Sequence, residues 1–180
     1  MYKGTQAVVT TGILAAIAIL LGVTRWGFTP PLILGVEATV MHVPVIIAAI
    51  VSGWASGSMV GLIFGIYSFL WAGDNPMFRD PLVSILPRAL IGITTYLTYV
   101  GLRRLDERVA VASAAVIGTL TNTTGVLGMI VLRGYLPPAA ALAIGAPYGL
   151  VESILAAVLA VAVVEALRAT RGRRVRKANL

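Results

Sequence analysis

The sequence predicts an all-α integral membrane protein, a six-transmembrane-helix bundle with both termini on the cytoplasmic side. Three observations predict it. The chain is 58% hydrophobic, has a mean hydropathy of +0.93 and is only 12% charged, about half the charged fraction of a soluble domain. Its apolar residues fall in runs broken by Pro-, Gly- or charge-containing stretches, several long enough to cross a hydrocarbon core of about 30 Å. Its basic residues gather at the run ends of one side. With 180 residues, the chain divides into a membrane domain over 1–170 and a basic tail over 171–180.

The first span covers 6–24, the length a crossing needs at about 1.5 Å per residue. It is expected not to be a cleaved signal peptide, because the apolar stretch is long and no small-residue cleavage site follows it. A loop over 25–41 holds Arg25, Trp26, Pro30, Pro31 and Glu37. The second span runs over 42–53, with Pro44 in its first turn, where a missing N–H is tolerated. A tight turn near Ser56 leads to a third span ending near Trp71. Both are short for full crossings, so a tilt, or an earlier start near Leu32, is an alternative. Spans four, five and six are predicted over 81–102, 109–132 and 145–168.

If both termini are cytoplasmic, the inner side holds Lys3, Arg103, Arg104, Arg108, Arg168, Arg171, Arg173, Arg174, Arg176 and Lys177, which is 10 of the 14 Lys and Arg residues. That asymmetry sets the orientation. The loops 25–41, 72–80 and 133–144 then face outward. The basic tail is expected against anionic headgroups, at about 1 kcal/mol per charge near the surface. The net charge of +7 is explained by topology and implies no nucleic-acid partner.

Composition also limits the chemistry. There are no cysteines and one histidine, so disulfides, thiolate metal sites and His-pair metal motifs are excluded, and no metal or cofactor is expected. No phosphate-binding Walker motif occurs, so any ATP use belongs to partners. An integral-membrane hydrolase using Glu152 and His42 is the competing enzymatic reading; it lacks a nucleophile–base pair. A ligand-free scaffold is a third.

The polar residues inside the spans are the functional candidates. On a helix, Ser84, Arg88, Gly92, Thr95 and Tyr99 recur at three- and four-residue steps and form one stripe. Arg88 follows Pro81 by seven residues and Glu152 follows Gly145 by seven, which puts each about 10 Å below the outer face. Arg88 admits three readings: a snorkelling side chain, a partner for Glu152, or a planar donor fork for an anionic ligand. Glu152 would neutralise Arg88 or hold an amine or hydroxyl. Asn122, among Thr119, Thr121, Thr123 and Thr124, is interhelical glue or a ligand amide contact. Tyr148 lies near the outer end of span six. His42 and Trp71 read first as interfacial anchors, and Arg79 with Asp74 and Asp80 as a staple within its own loop. The candidate substrate-binding set is thus Arg88, Asn122, Glu152, Tyr148, Ser84, Trp71, His42 and Arg79.

Glycines recur every fourth residue at Gly53, Gly57, Gly61 and Gly65, a pattern for close helix packing. Span one has small residues in two rows, Ala7, Thr11 and Ala15 beside Gly12 and Ala16. They suit either packing within the bundle or a smooth surface for another membrane subunit.

Three segments in order, Met41-His42-Val43-Pro44-Val45-Ile46-Ile47, the run from Asp80-Pro81 through Leu86-Pro87-Arg88 to Gly92, and Gly118-Thr119-Leu120-Thr121-Asn122-Thr123, resemble the substrate-binding S components of energy-coupling factor (ECF) vitamin importers, most closely the pantothenate-type branch. Folate, riboflavin, hydroxymethylpyrimidine and lipoate carriers share much of the pattern. The resemblance covers nearly the whole chain. It implies a non-enzymatic carrier that binds a vitamin on the outer side, docks on a membrane coupling protein driven by two cytoplasmic ATPases, and topples to release its cargo inside. It further implies docking through small residues of span one, here Thr11, Gly12, Ala15 and Ala16. Where relatives often show Asn-Gly before a Glu in span six, this chain reads Tyr148-Gly149-Leu150-Val151-Glu152.

Overall fold

The computed structural model describes residues 2, 4–27, 39–71, 73 and 75–178, the last eight of these by backbone alone. Seven helices follow in order: α1 (Thr5–Val23), α2 (Val43–Ser52), α3 (Trp54–Leu70), α4 (Pro81–Ser84), α5 (Leu86–Leu102), α6 (Glu107–Leu132) and α7 (Pro138–Ala178). α4 and α5 are two parts of one span, Pro81–Leu102, so the bundle has the six predicted spans. Four of them, Thr5–Val23, Pro81–Leu102, Glu107–Leu132 and Pro138–Thr170, are long and apolar enough to cross a membrane.

The bundle is built around its shortest member. Every residue of α2 from Val43 to Ile50 is buried. It touches α1, α3, α5, α6 and α7, which follow one another around it. A helix apolar on all sides belongs in such a place. Ten residues rise only about 15 Å, half a bilayer core. His42, immediately before α2, is wholly buried and has no exposed surface with which to anchor at an interface. The alternative start near Leu32 lies outside the described residues.

Gly53 makes the turn between α2 and α3, with φ 105°, a conformation that L side chains rarely adopt. The predicted turn at Ser56 is instead inside α3. Downstream, Gly57, Gly61 and Gly65 bring α3 against α4 and α5. A Cβ on Gly61 would stand 2.1 Å from the carbonyl oxygen of Arg88, and one on Gly92 would stand 2.2 Å from the backbone nitrogen of Ser58. The two backbones touch.

The last span begins at Pro138 rather than 145, which shortens the loop before it to residues 133–137. Pro147 sits inside the helix without ending it, as neighbouring helices in a membrane bundle permit. The backbone of the basic tail continues this helix to Ala178. At the end of the bundle that holds both termini, Arg168 bonds Glu107 and Tyr99, and Arg108 pairs with Glu165. These contacts join α5, α6 and α7.

Candidate functional site

Arg88 is 5% exposed, so its charge is neither snorkelling nor turned to lipid. The local sequence explains how it is held. Pro87 has no N–H and leaves the carbonyl of Val83, four residues back, without its helical donor. The helix breaks at Ile85 (φ −100°, ψ −50°) between α4 and α5. Arg88 Nη1 donates to that same Val83 carbonyl. Its guanidinium carbon lies 5.5 Å from the ring centroids of both Phe64 on α3 and Phe78 in the 71–80 loop, two cation–π contacts. Ser84, fully buried, donates its hydroxyl to the carbonyl of Phe78. Nε of Arg88 has no hydrogen-bond partner.

Arg88 and Glu152 lie within electrostatic range of each other, yet among the described residues no ion pair joins them. Glu152, 6% exposed, accepts instead from the backbone N–H of Thr39 at 2.7 Å and the hydroxyl of Thr123 at 3.3 Å. It ties the approach to α2 onto α6 and α7. The neutralising role expected for it acts at most through space.

His42 is wholly buried at the start of α2. Its Nε2 lies 2.9 Å from Thr119 Oγ1 on α6, and its Nδ1 is unpartnered. Arg88 is near enough to act on it electrostatically. Asn122, one turn above Thr119 on α6, is 5% exposed, and its Oδ1 is unpartnered. Tyr148 is also buried, one turn before Glu152 on the same face of α7.

The helices thus bring His42, Ser84, Arg88, Asn122, Tyr148 and Glu152 into the bundle interior. The other two candidates fall outside. Trp71 is 69% exposed and stacks on Tyr67 with ring centroids 5.4 Å apart, and Arg79 is exposed in the loop. Asp80 does more than staple its own loop. It accepts from the Leu82 N–H as the cap of α4 and pairs with Arg133 at the end of α6. The bonded Arg133 guanidinium holds the Asp80 carboxyl below the usual carboxylate range, and the carboxylate in turn raises Arg133. Asp74 lies outside the described residues.

Phe64, Phe78 and Thr39 are neighbours of these side chains that sequence reasoning missed, whereas Thr119 and Thr123 stood out through their spacing from Asn122. On α1, Ala15 is buried and Thr11 half-buried with its hydroxyl on the Ala7 carbonyl, whereas Gly12 and Ala16 are exposed. An apolar groove of about 790 Å³ between α6 and α7 contains Thr123, Thr124 and Ser153 but no charged residue. Arg88, His42 and Asn122 do not line it, but Thr123, which bonds Glu152, does.

Among the described residues the cluster thus leaves three buried polar atoms without a hydrogen-bond partner, Arg88 Nε, His42 Nδ1 and Asn122 Oδ1. Buried polar atoms are nearly always partnered, so these three orphans in the bundle interior suit a small polar solute.

The family model described as "ECF transporter, substrate-specific component" matches residues 6–164. A pantothenic acid transporter of Lactococcus lactis subsp. cremoris, PanT, is 32% identical over 76% of this chain and 80% of its own length. A pantothenate transporter of Leuconostoc mesenteroides, also PanT, is 29% identical over 51% of this chain and 48% of its own. Among solved structures, the S component of a bacterial ECF transporter superposes with a TM-score of 0.68 over 93% of this chain and 98% of that one, at 18% identity. At that identity the likeness is one of fold.

Proposed function

This chain belongs to the family of substrate-specific components of ECF transporters, and from that premise we propose that it is the membrane subunit that captures pantothenate for import. The observation supporting this most directly is the buried Arg88, whose Nε has no partner among the described residues, in the same bundle interior as the unpartnered Nδ1 of His42 and Oδ1 of Asn122. A guanidinium suits a carboxylate, and pantothenate adds an amide and two hydroxyls. The similarity to two pantothenate transporters points the same way. A hydroxymethylpyrimidine reading would draw on stacking by Trp71, which is turned outward.

The subunit delivers its cargo by docking on a membrane coupling protein with two cytoplasmic ATPases and has no catalytic step of its own. Both termini face the cytoplasm in this reading, because Arg103, Arg104, Arg108 and Arg168 share the end of the bundle that holds them. Titration of labelled pantothenate into the purified chain, with mass spectrometry of any small molecule retained through purification, is the test. Saturable binding and a retained pantothenate mass support it. A different retained solute, with no pantothenate binding, would replace it.

A further inference from the structure

We propose that His42 determines ligand selectivity as a hydrogen-bond acceptor: Thr119 fixes the neutral ring with its proton on Nε2, and Nδ1 accepts from a hydroxyl of the bound solute. The inference rests on the pantothenate reading and narrows it to particular atoms.

Thr119 Oγ1 lies 2.9 Å from His42 Nε2 and 2.9 Å from the carbonyl oxygen of Ala115. A threonine hydroxyl has one hydrogen. Pointed at Nε2, it would leave two oxygen lone pairs facing each other across the Ala115 contact. Pointed at the Ala115 carbonyl, the usual back-bond of a helical threonine, it leaves Oγ1 free to accept. Nε2 must then donate, so Nδ1 holds a lone pair. That lone pair is in a wholly buried ring and has no partner.

Asn122 Oδ1 is a second acceptor without a donor, and Arg88 Nε is a donor without an acceptor. Two acceptors and one cationic donor are complemented by a carboxylate that also brings two hydrogen donors. A hydroxylated or amide-bearing carboxylate meets this, as pantothenate does. Lipoate brings the carboxylate and no donor for either acceptor. Riboflavin brings donors and no carboxylate.

The chain has one histidine, so its two ring nitrogens give unambiguous signals in ¹⁵N NMR of the histidine-labelled full chain in detergent. The expected result is a protonated Nε2 and an unprotonated Nδ1 in the wild type. In Thr119→Val, which removes the hydroxyl, the preference is lost. A protonated Nδ1 in the wild type overturns the proposal whatever the ligand proves to be.

Binding of pantothenate and its two mono-deoxy analogues supplies the second readout. Wild type should lose about tenfold or more on one analogue, the effect of leaving a buried acceptor unmatched. His42→Phe should bind pantothenate and that analogue equally. Full discrimination retained by His42→Phe would overturn the role. If pantothenate does not bind the wild type, the pantothenate reading fails, while the NMR result still decides the ring state.

Discussion

Arg88 donates through Nη1 to the carbonyl oxygen of Val83, the acceptor that Pro87 leaves without a backbone donor. A proline that breaks the span and an arginine that is buried in it are therefore one device. The kink supplies the anchor that orients the guanidinium, and the guanidinium satisfies the carbonyl that the kink exposes.

Arg88→Ala should therefore cost stability as well as affinity. Leaving a buried carbonyl unmatched costs about 1–3 kcal/mol. Pro87→Ala restores an N–H and should recover part of that loss in the double variant, because contacting residues couple by about 0.5–3 kcal/mol. Thermal unfolding of the four proteins in detergent measures the cycle; strict additivity would show that the two residues are independent. Pantothenate affinity should fall in both Arg88→Ala proteins.

Gly61→Ala tests the contact between α3 and α5. Its methyl would meet the backbone of Arg88, which cannot yield as a side-chain tip would. A loss of about 2 kcal/mol or more is expected, at the upper end of ordinary substitutions. Gly12→Ala, where nothing lies within 4 Å, should unfold like the wild type. Equal melting temperatures for all three would refute the close approach.

The Asp80–Arg133 pair predicts a pH dependence of definite sign. The folded carboxyl is held below its ordinary value, so the stability it adds is fully present above about pH 4. It is lost as pH falls through the lowered value. Asp80→Asn should flatten that limb of the melting-temperature profile and leave the neutral-pH region little changed apart from a constant offset. An unchanged acid limb would show that other carboxylates set it.

On α1 the two small-residue rows should behave differently. Ala16→Trp adds bulk on an exposed face and should leave pantothenate binding intact while blocking uptake in cells that express the coupling proteins. Ala15 is 5% exposed, so Ala15→Trp should lower stability itself. Normal uptake by a well-expressed Ala16→Trp carrier would move the docking surface elsewhere.

The spans were legible because each is an apolar run bounded by Pro, Gly or charged residues, four of them of crossing length, and the Gly57, Gly61, Gly65 row announced its packing through its spacing. Arg88, Asn122 and Glu152 could be picked out as intramembrane polar residues, which lipid does not tolerate idly. Their partners could not be read. Glu152 bonds Thr39 and Thr123, residues far away in the chain, and no local pattern encodes that meeting. His42 read first as an interfacial anchor, and its burial comes from the five helices that surround α2, an arrangement no local pattern encodes. The start of α7 was misplaced because Pro138 and Pro147 look like loop punctuation, whereas one opens the helix and the other is absorbed within it.

The glycine contacts between α3 and α5 also restrict how the carrier moves. With backbone against backbone at Gly61 and Gly92, neither helix can slide past the other without driving a side chain into a main chain. They behave as a single plate that bears Phe64 on one helix and Arg88 on the other. If Arg88 holds the solute as proposed, movement to and from it would come from parts not welded to that plate, and α1 or the segment carrying Phe78 is where motion should first be sought.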